Sequence, residues 1–236
     1  MNTGSKLAQV LQAAREMARP GTTLQAIENA VRTWLADADL VPENPQVLGF
    51  RHAASFGLNA IIGGIQNLEV QIADEDLLTI DVAARDASGY IVDASVTCRA
   101  GSQRSGDLGT LAEEATLAGV AAVQPGRGPR DVLDAISAFL EGKDAVLAPM
   151  PFLHGIGASL HVDPCAGTEE PGDARFLVGD VLAIEPVLLA RPGRLTWDVT
   201  GWEVSAANGA DTAFVEHTVV VIEEGAQIST LGPRHG

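Results

Sequence analysis

Acidic residues lie inside four apolar, β-forming runs of the sequence. The runs are LLTIDVAA around Asp81, GYIVDASVT around Asp93, VLAIEPVLL around Glu185 and AFVEHTVVV around Glu216. A carboxylate among buried β-forming residues is costly unless it is paired, protonated or bound to a cation. Four such carboxylates are too many to be explained as edge-strand charges, so we predict that they share one site that neutralises them.

The first two acids belong to one predicted hairpin. Asp81 and Asp93 are equally distant from Ala87 in the turn sequence RDASG. Regular antiparallel pairing would therefore place them directly opposite each other, with Cβ atoms about 5 Å apart. Two like charges in this position repel each other. A divalent metal ion would turn the repulsion into chelation.

Two of the five histidines lie in the stretch FLHGIGASLHVDP, at His154 and His161. A single loop histidine is commonly structural, because neutral imidazole bonds readily to the backbone. Together with four carboxylates, however, one or two histidines make a mixed oxygen and nitrogen set that suits Mn²⁺, Fe²⁺, Co²⁺ or Zn²⁺. Four carboxylates exceed the need of one ion, so we expect two divalent ions about 3.5–4 Å apart, bridged by carboxylate and by a water or hydroxide.

A faint internal repeat organises the elements that carry these residues. The segment ARPGTTLQAIENAVRTWL from Ala18 aligns with VQPGRGPRDVLDAISAFL from Val123, an offset of 105 residues. In both copies Pro-Gly ends one helix and a capped helix follows, begun by Thr22 or Thr23 in the first copy and by Pro129 in the second. The alternative is that Pro-Gly before a helix is common and the repeat is chance.

Strand-like runs follow each predicted helix pair, so the chain divides into two similar halves. We place these halves at roughly 1–103 and 104–236, within a single domain that spans 1–236. Their sheets are expected to meet along a pseudo-twofold axis. A site at that seam would draw residues from both halves.

Composition excludes several classes of partner. The chain has 236 residues, 31 acids against 15 bases and a net charge of −16, without a basic cluster, so we expect no nucleic-acid binding. No apolar run approaches the roughly 18 residues that a membrane span needs. The N-terminal stretch has helical spacing rather than a signal-peptide pattern. Cys98 and Cys165 form no C-x-x-C pair, which suits a reducing compartment, and we expect a cytoplasmic protein.

Five stretches of the sequence resemble one known family. TIDVA, GYIVDAS, HGIGASLHVDP, AIEPVLL and FVEHTVVV occur in the order, and close to the spacing, of the methionine aminopeptidases and their relatives in the creatinase, or pita-bread, superfamily. The resemblance covers nearly the whole chain. It implies an α+β fold in which helices cover a curved antiparallel sheet built from two pseudo-twofold-related halves.

The resemblance also implies roles for individual residues. Asp81, Asp93, His154, Glu185 and Glu216 correspond to the five metal ligands of the family, with Asp93 and Glu216 bridging the two ions. A metal-bound hydroxide then attacks the scissile carbonyl, and Glu185 shuttles a proton in addition to binding metal.

Two further residues match positions near the substrate in this family. His161 would contact the substrate carbonyl and stabilise the developing oxyanion rather than bind metal. Trp202, in GWEVSAANGAD, matches a tryptophan beside the substrate side chain; ordinary packing at the rim of the pocket is the alternative.

The sequence departs from the family at the substrate pocket. Gly64, or Gly63 under a shifted gap, stands where the aminopeptidases have a histidine that reaches the nitrogen of the scissile bond. Leu160 stands where they usually have an aromatic wall, and Phe50 and Phe56 are candidates to refill that space. His52 is either a replacement for the missing imidazole or a surface residue.

These observations favour a dinuclear metal hydrolase that removes the N-terminal residue of peptides. The departures keep open a repurposed metalloenzyme that acts on a small molecule with an amide or other C–N bond, by hydrolysis or lyase chemistry. A non-catalytic protein-binding module is the third alternative. It is disfavoured because such a module has no use for five metal-binding side chains.

Overall fold

The computed structural model describes residues 2–47, 50–101 and 107–231. The predicted boundary between the halves, at residues 103 and 104, lies outside the described residues. The helices are α1 (Thr3–Met17), α2 (Leu24–Asp37), α3 (Asn44–Val47), α4 (Leu108–Ala122) and α5 (Pro129–Leu140).

The described residues also form fifteen strands. They are β1 (Val41–Pro42), β2 (Ser55–Leu58), β3 (Ile61–Gly63), β4 (Leu77–Arg85), β5 (Ile91–Arg99), β6 (Val146–Leu147), β7 (Pro151–Gly155), β8 (Val162–Gly167), β9 (Val181–Ile184), β10 (Leu188–Leu189), β11 (Leu195–Trp197), β12 (Val204–Ala206), β13 (Thr212–Ala213), β14 (Glu216–Ile222) and β15 (Gly225–Ile228).

Most strands form one large antiparallel sheet. Its main path runs β11-β12-β3-β2-β4-β5-β14-β9-β7-β8, with β1 added beside β4 and β15 beside β14. A small second sheet has the order β13-β10-β6. Strands β2 to β5 precede α4, whereas β7 to β9, β12 and β14 follow α5, so strands from the two parts of the chain pair at β5–β14 and at β3–β12. The predicted meeting of strands from the two parts of the chain is confirmed there.

The two helix pairs repeat as predicted. Helices α1 and α4 begin at residues 3 and 108, and α2 and α5 at residues 24 and 129, so both offsets equal 105. A glycine with positive φ turns the chain in each copy, Gly21 at +88° and Gly126 at +83°. The Thr23 side chain caps α2, whereas Gly128 is the cap residue of α5 and Pro129 its first helical residue.

Each helix pair packs on the same sheet through its own apolar cluster. The first cluster joins α1 and α2 to β2, β4 and β5, and the second joins α4 and α5 to β7, β9 and β14. Ile80 and Val82 belong to the first cluster and flank Asp81. Because side chains alternate along a strand, Asp81 points to the face opposite the helices. No helix in the described ranges is long and apolar enough to cross a bilayer.

Two of the predicted strands are each split in the structure. The run VLAIEPVLL forms β9 and then β10, and AFVEHTVVV ends β13 before β14 begins. Pro186 has no N–H to continue the first ladder. In the second run, the chain passes from the small sheet to the large one at Phe214, whose carbonyl accepts the Thr97 hydroxyl at 2.6 Å. Glu185 and Glu216 therefore lie at strand ends.

Candidate metal centre

Strand pairing brings Asp81 and Glu216 to one place on the sheet. On β4, Asp81 is opposite Ser95 of β5, and Glu216 of β14 is opposite the same Ser95 from the other side. Residues directly opposite each other in an antiparallel sheet point to the same face. The two carboxylates therefore flank a small side chain on the helix-free face.

Asp93 and His154 lie in the neighbouring cross-strand row. The Thr218 hydroxyl accepts the Asp93 N–H at 2.8 Å and donates to the Asp93 carbonyl at 2.7 Å. Thr218 is opposite Ala183, which is opposite His154. Because the residues between Asp93 and His154 are small, the imidazole reaches across the sheet toward the carboxylates.

The predicted direct opposition of Asp81 and Asp93 is wrong. Asp81 is opposite Ser95, and Asp93 is opposite Ala83, so the hairpin is centred on Ser88. The turn is shifted because the carboxylate of the aspartate that opens it accepts two backbone N–H groups within the turn. The two aspartates are consequently diagonal neighbours on one face, which preserves their proximity.

The His154 ring is aimed at three carboxylates. Its Nε2 lies 3.9 Å from Asp93 Oδ2 and 3.7 Å from both Glu185 Oε1 and Glu216 Oε1. Its Nδ1 lies 3.1 Å from the Gly155 carbonyl, which orients the ring. His154, Asp93 and Glu216 are buried, whereas Asp81 and Glu185 are partly exposed.

This donor set fits a divalent metal ion. Asp93 Oδ1 and Glu216 Oε1 are buried without a hydrogen-bond partner among the described residues. Each unpaired buried acceptor is destabilising, and a cation removes the penalty. Asp93, His154 and Glu216 each offer a ligand atom, and these atoms lie within 4.8 Å of one another. Asp81 lies close enough to Asp93 and Glu216 for its ionisation to be linked to theirs, which extends the group.

The raised pKa values of the clustered carboxylates show that their negative charges are unfavourable without a cation. Burial, followed by repulsion from neighbouring carboxylates, raises the pKa of Asp81 to about 7 and the pKa values of Asp93 and Glu185 to about 8. The same causes raise the pKa of Glu216 well above its ordinary range. Without a cation the cluster holds protons near neutral pH, and a metal ion would displace them.

His161 lies beside the cluster without belonging to the group of ligand atoms found in the described residues. It follows β7, and its ring centroid is 4.4 Å from that of His154. Burial in the cavity wall, and then the neighbouring His154, lower the pKa of His161. The imidazole is therefore neutral at physiological pH and can donate one hydrogen bond to a substrate oxygen.

A cavity of about 230 Å³ opens beside Asp81, Glu185 and His161. Its wall is mostly apolar and includes Phe50, Ile62, Met150, Leu160, Trp202 and Phe214. The Trp202 and Phe50 rings pack together with centroids 5.2 Å apart. Phe50, Leu160 and Trp202 all line this cavity, and their contact with substrate stays a prediction.

The predicted contribution of Phe56 to the pocket is wrong. Phe56 is fully buried in the cluster beneath α1 and α2. It is opposite Ile80, whereas its neighbour Ser55 is opposite Asp81. Alternation along β2 therefore sends Phe56 to the helices and Ser55 to the cavity, which Ser55 lines. Ser55 is not among the residues predicted for the site, although the same alternation along β2 identifies it.

The two glycines differ in their tolerance of a side chain. Both line the cavity, but Gly64 has φ +81°, and a Cβ there would collide with the Trp202 carbonyl oxygen. A Cβ on Gly63 would meet only Ser55 Oγ, at 3.0 Å. The backbone could therefore accept a side chain at Gly63 but not at Gly64. Gly63 is thus the position at which the cavity lacks a side chain that could be added.

His52 lies behind the cavity wall. Its ring packs edge-on against Phe50 with centroids 5.4 Å apart, and its Nε2 is buried without a partner among the described residues. Burial lowers the pKa of His52. His52 is thus half-buried, with part of the residue exposed, and it is not among the residues that line the cavity.

Comparison with known proteins places these features in a family. A family model described as metallopeptidase family M24 matches residues 7–223. Methionine aminopeptidase B of Synechocystis sp. is 31% identical, with 97% of this chain and 86% of the relative covered. Methionine aminopeptidase 1 of Mycobacterium tuberculosis is 30% identical, with 97% and 90% covered.

Solved structures share the fold. The crystal structure of methionine aminopeptidase from Thermotoga maritima has a TM-score of 0.89 at 26% identity and covers 96% of this chain and 93% of its own. The prolidase from Pyrococcus horikoshii is 16% identical and has a TM-score of 0.69; the match covers 98% of this chain and 60% of the prolidase. The predicted α+β pita-bread fold is confirmed by these similarities.

Proposed function

The chain belongs to metallopeptidase family M24, and on this premise we propose that it is a metal-dependent aminopeptidase that removes the N-terminal residue of peptides. The observation that carries the proposal is the pair of buried oxygens of Asp93 and Glu216 that have no partner among the described residues. They lie beside His154, next to a mostly apolar cavity that Asp81 and Glu185 line. A cation-binding acid cluster next to a pocket for an apolar side chain is the arrangement that this reaction requires.

We propose that two divalent ions, of Mn, Co, Fe or Zn, are held by five side chains. In the strand order, Asp81 lies on one side of Asp93 and Glu216, and Glu185 and His154 lie on the other. Asp93 and Glu216 would therefore be the central side chains of the set that holds the ions. Ions in such a site polarise the substrate carbonyl and activate a water.

The protein side chains orient the substrate around that chemistry. His161 faces the cavity as a neutral donor and is placed to bond the carbonyl oxygen as negative charge develops on it. Glu185 lines the same cavity with part of its side chain exposed, so it can pass a proton to the departing amine.

The cavity selects the side chain of the N-terminal residue. Apolar groups dominate its wall, and the charged side chains lining it are Asp81 and Glu185 of the metal site itself. Transfer of an apolar side chain into this space is favourable by about 1.5–3 kcal/mol. We propose that residues such as methionine are accepted there and that charged residues are rejected.

A metal reconstitution assay tests the proposal. The purified protein is stripped with chelator, loaded with Mn²⁺, Co²⁺, Fe²⁺ or Zn²⁺, and assayed with methionyl, leucyl, alanyl and glutamyl anilides and with matching peptides. We expect hydrolysis only in metal-loaded samples and only of apolar N-terminal residues. Metal uptake without cleavage of any peptide or anilide would contradict the proposal, and cleavage of small non-peptide amides alone would favour the repurposed enzyme.

A further inference from the structure

A row of residues connects the cavity to the open edge of the large sheet. Trp197 on β11 is opposite Val204 on β12, and Val204 is opposite Gly63 on β3. Val204 and Gly63 both line the cavity. Because opposite residues share a face, Trp197 lies on the same face as the cavity, one strand farther out.

The row continues inward to the acid cluster. A Cβ on Gly63 would lie 3.0 Å from Ser55 Oγ, and Ser55 is opposite Asp81. Gly63 itself contributes no side chain. The row therefore passes from Asp81 through Ser55, Gly63 and Val204 to Trp197, from the acid cluster to the edge of the sheet.

Trp197 is held in place although it is exposed. Its relative exposure is 59%. The next residue, Asp198, donates its N–H to the Glu203 carbonyl at 3.0 Å, and its carboxylate accepts the Thr200 hydroxyl at 2.8 Å. These bonds close the β11–β12 hairpin. The exposed indole lies on the face that carries the cavity and offers an apolar surface to a bound peptide.

From this continuity we propose that Trp197 is an outer subsite that contacts an apolar side chain of the substrate peptide beyond the scissile bond. The inference rests on the proposed aminopeptidase function. From Gly63 to Trp197 is two strand spacings, about 10 Å, and an extended peptide advances about 3.3 Å per residue. The contact therefore falls about three residues beyond the substrate residue that lies over Gly63.

The test compares short and long substrates of the metal-loaded enzyme. Values of kcat and KM are measured for an anilide of the preferred N-terminal residue and for hexapeptides with glycine or leucine at residues 4 and 5. In the wild type, leucine should lower KM by about five- to ten-fold, the gain expected from one well-packed apolar contact. Trp197→Ala should abolish this ratio, and Trp197→Phe should keep most of it.

Val199→Ala is the matched control, because Val199 is a fully exposed apolar residue in the same hairpin. It should leave the leucine-to-glycine ratio unchanged. If the anilide is hydrolysed but Trp197→Ala leaves the ratio at the wild-type value, this inference is wrong and the aminopeptidase function stands. Loss of self-association in Trp197→Ala without a change in the ratio would instead identify a contact between copies. No hydrolysis of any substrate would overturn both proposals.

Discussion

Asp81 and Glu216 lie on opposite sides of Ser95, each on a strand next to β5, although one precedes and the other follows both α4 and α5 in the chain. The acid cluster therefore exists only when β5 and β14 are paired. The same pairing concentrates negative charge at the joint between the two parts of the sheet. A cation bound there would stabilise the joint as well as serve catalysis.

Removal of a central carboxylate should separate metal binding from folding. Asp93→Asn and Glu216→Gln keep side-chain size but remove one negative charge, so we expect loss of bound metal and of activity. The fold should survive because each change relieves repulsion, and the Thr218 bonds to Asp93 involve only its backbone. Metal content by elemental analysis and the melting temperature of the metal-free proteins check this. Full activity in either variant would refute the two-ion model.

The two neighbouring histidines should differ in their effects. His154→Ala removes a nitrogen within 4 Å of three carboxylates and should lower metal content. His161→Ala should leave metal bound and lower kcat by roughly 10²–10³, the usual loss for one oxyanion donor. Elemental analysis and steady-state kinetics of both variants provide the comparison. Equal metal loss in the two variants would mean that His161 is a ligand.

The acid cluster and the helix repeat were predictable because each depends on local sequence pattern. Asp81 and Glu185 stand out as acids in apolar runs, and a 105-residue offset relates both helix pairs. The register of the hairpin was not predictable, because bonds of the Asp86 carboxylate within the turn determine its centre. Symmetry about Ala87 in the sequence carries no information about those bonds.

The cavity wall was predicted less well than the acids. Phe50 and Phe56 are equivalent aromatic residues in the sequence, yet only Phe50 lines the cavity. The difference arises from strand alternation, since Phe56 faces the helices and Ser55 faces Asp81. Tertiary placement of a loop residue such as Phe50 depends on its packing against Trp202, which is distant in the chain.

The stability of the metal-free protein should fall as pH rises. Burial raises the folded-state pKa of Asp81 to about 7 and that of Asp93 to about 8. In the unfolded chain an aspartate has a pKa of about 4. The folded state thus holds protons that the unfolded chain has released, and stability present below about pH 4 is lost progressively up to about pH 8. Urea unfolding across this range measures the effect.

Metal loading should change this pH dependence. Bound ions keep the carboxylates deprotonated, so the loaded protein should instead lose stability as acid displaces the metal. Asp93→Asn, tested without metal, serves as a control and should show a weaker loss between pH 4 and pH 8. A metal-free protein whose free energy of unfolding rises from pH 4 to pH 8 would contradict the raised pKa values of the cluster.

Substitutions at the adjacent glycines should separate backbone strain from the shape of the cavity. Gly64→Ala places a Cβ against the Trp202 carbonyl at a φ of +81°, so it should lower the melting temperature. Gly63→Ala requires only a small movement of Ser55 Oγ and should fold normally.

Gly64→His therefore cannot test for the missing imidazole, whereas Gly63→His can. If the chain is an aminopeptidase that lacks one substrate contact, Gly63→His should raise kcat/KM for methionyl dipeptides. Because the imidazole would also project between Ser55 and Val204, on the row that leads to Trp197, it should reduce cleavage of longer peptides relative to Gly63→Ala. A well-folded, metal-loaded Gly63→His protein that cleaves neither class of peptide, while Gly63→Ala cleaves both, would show that this position must remain open for the native substrate.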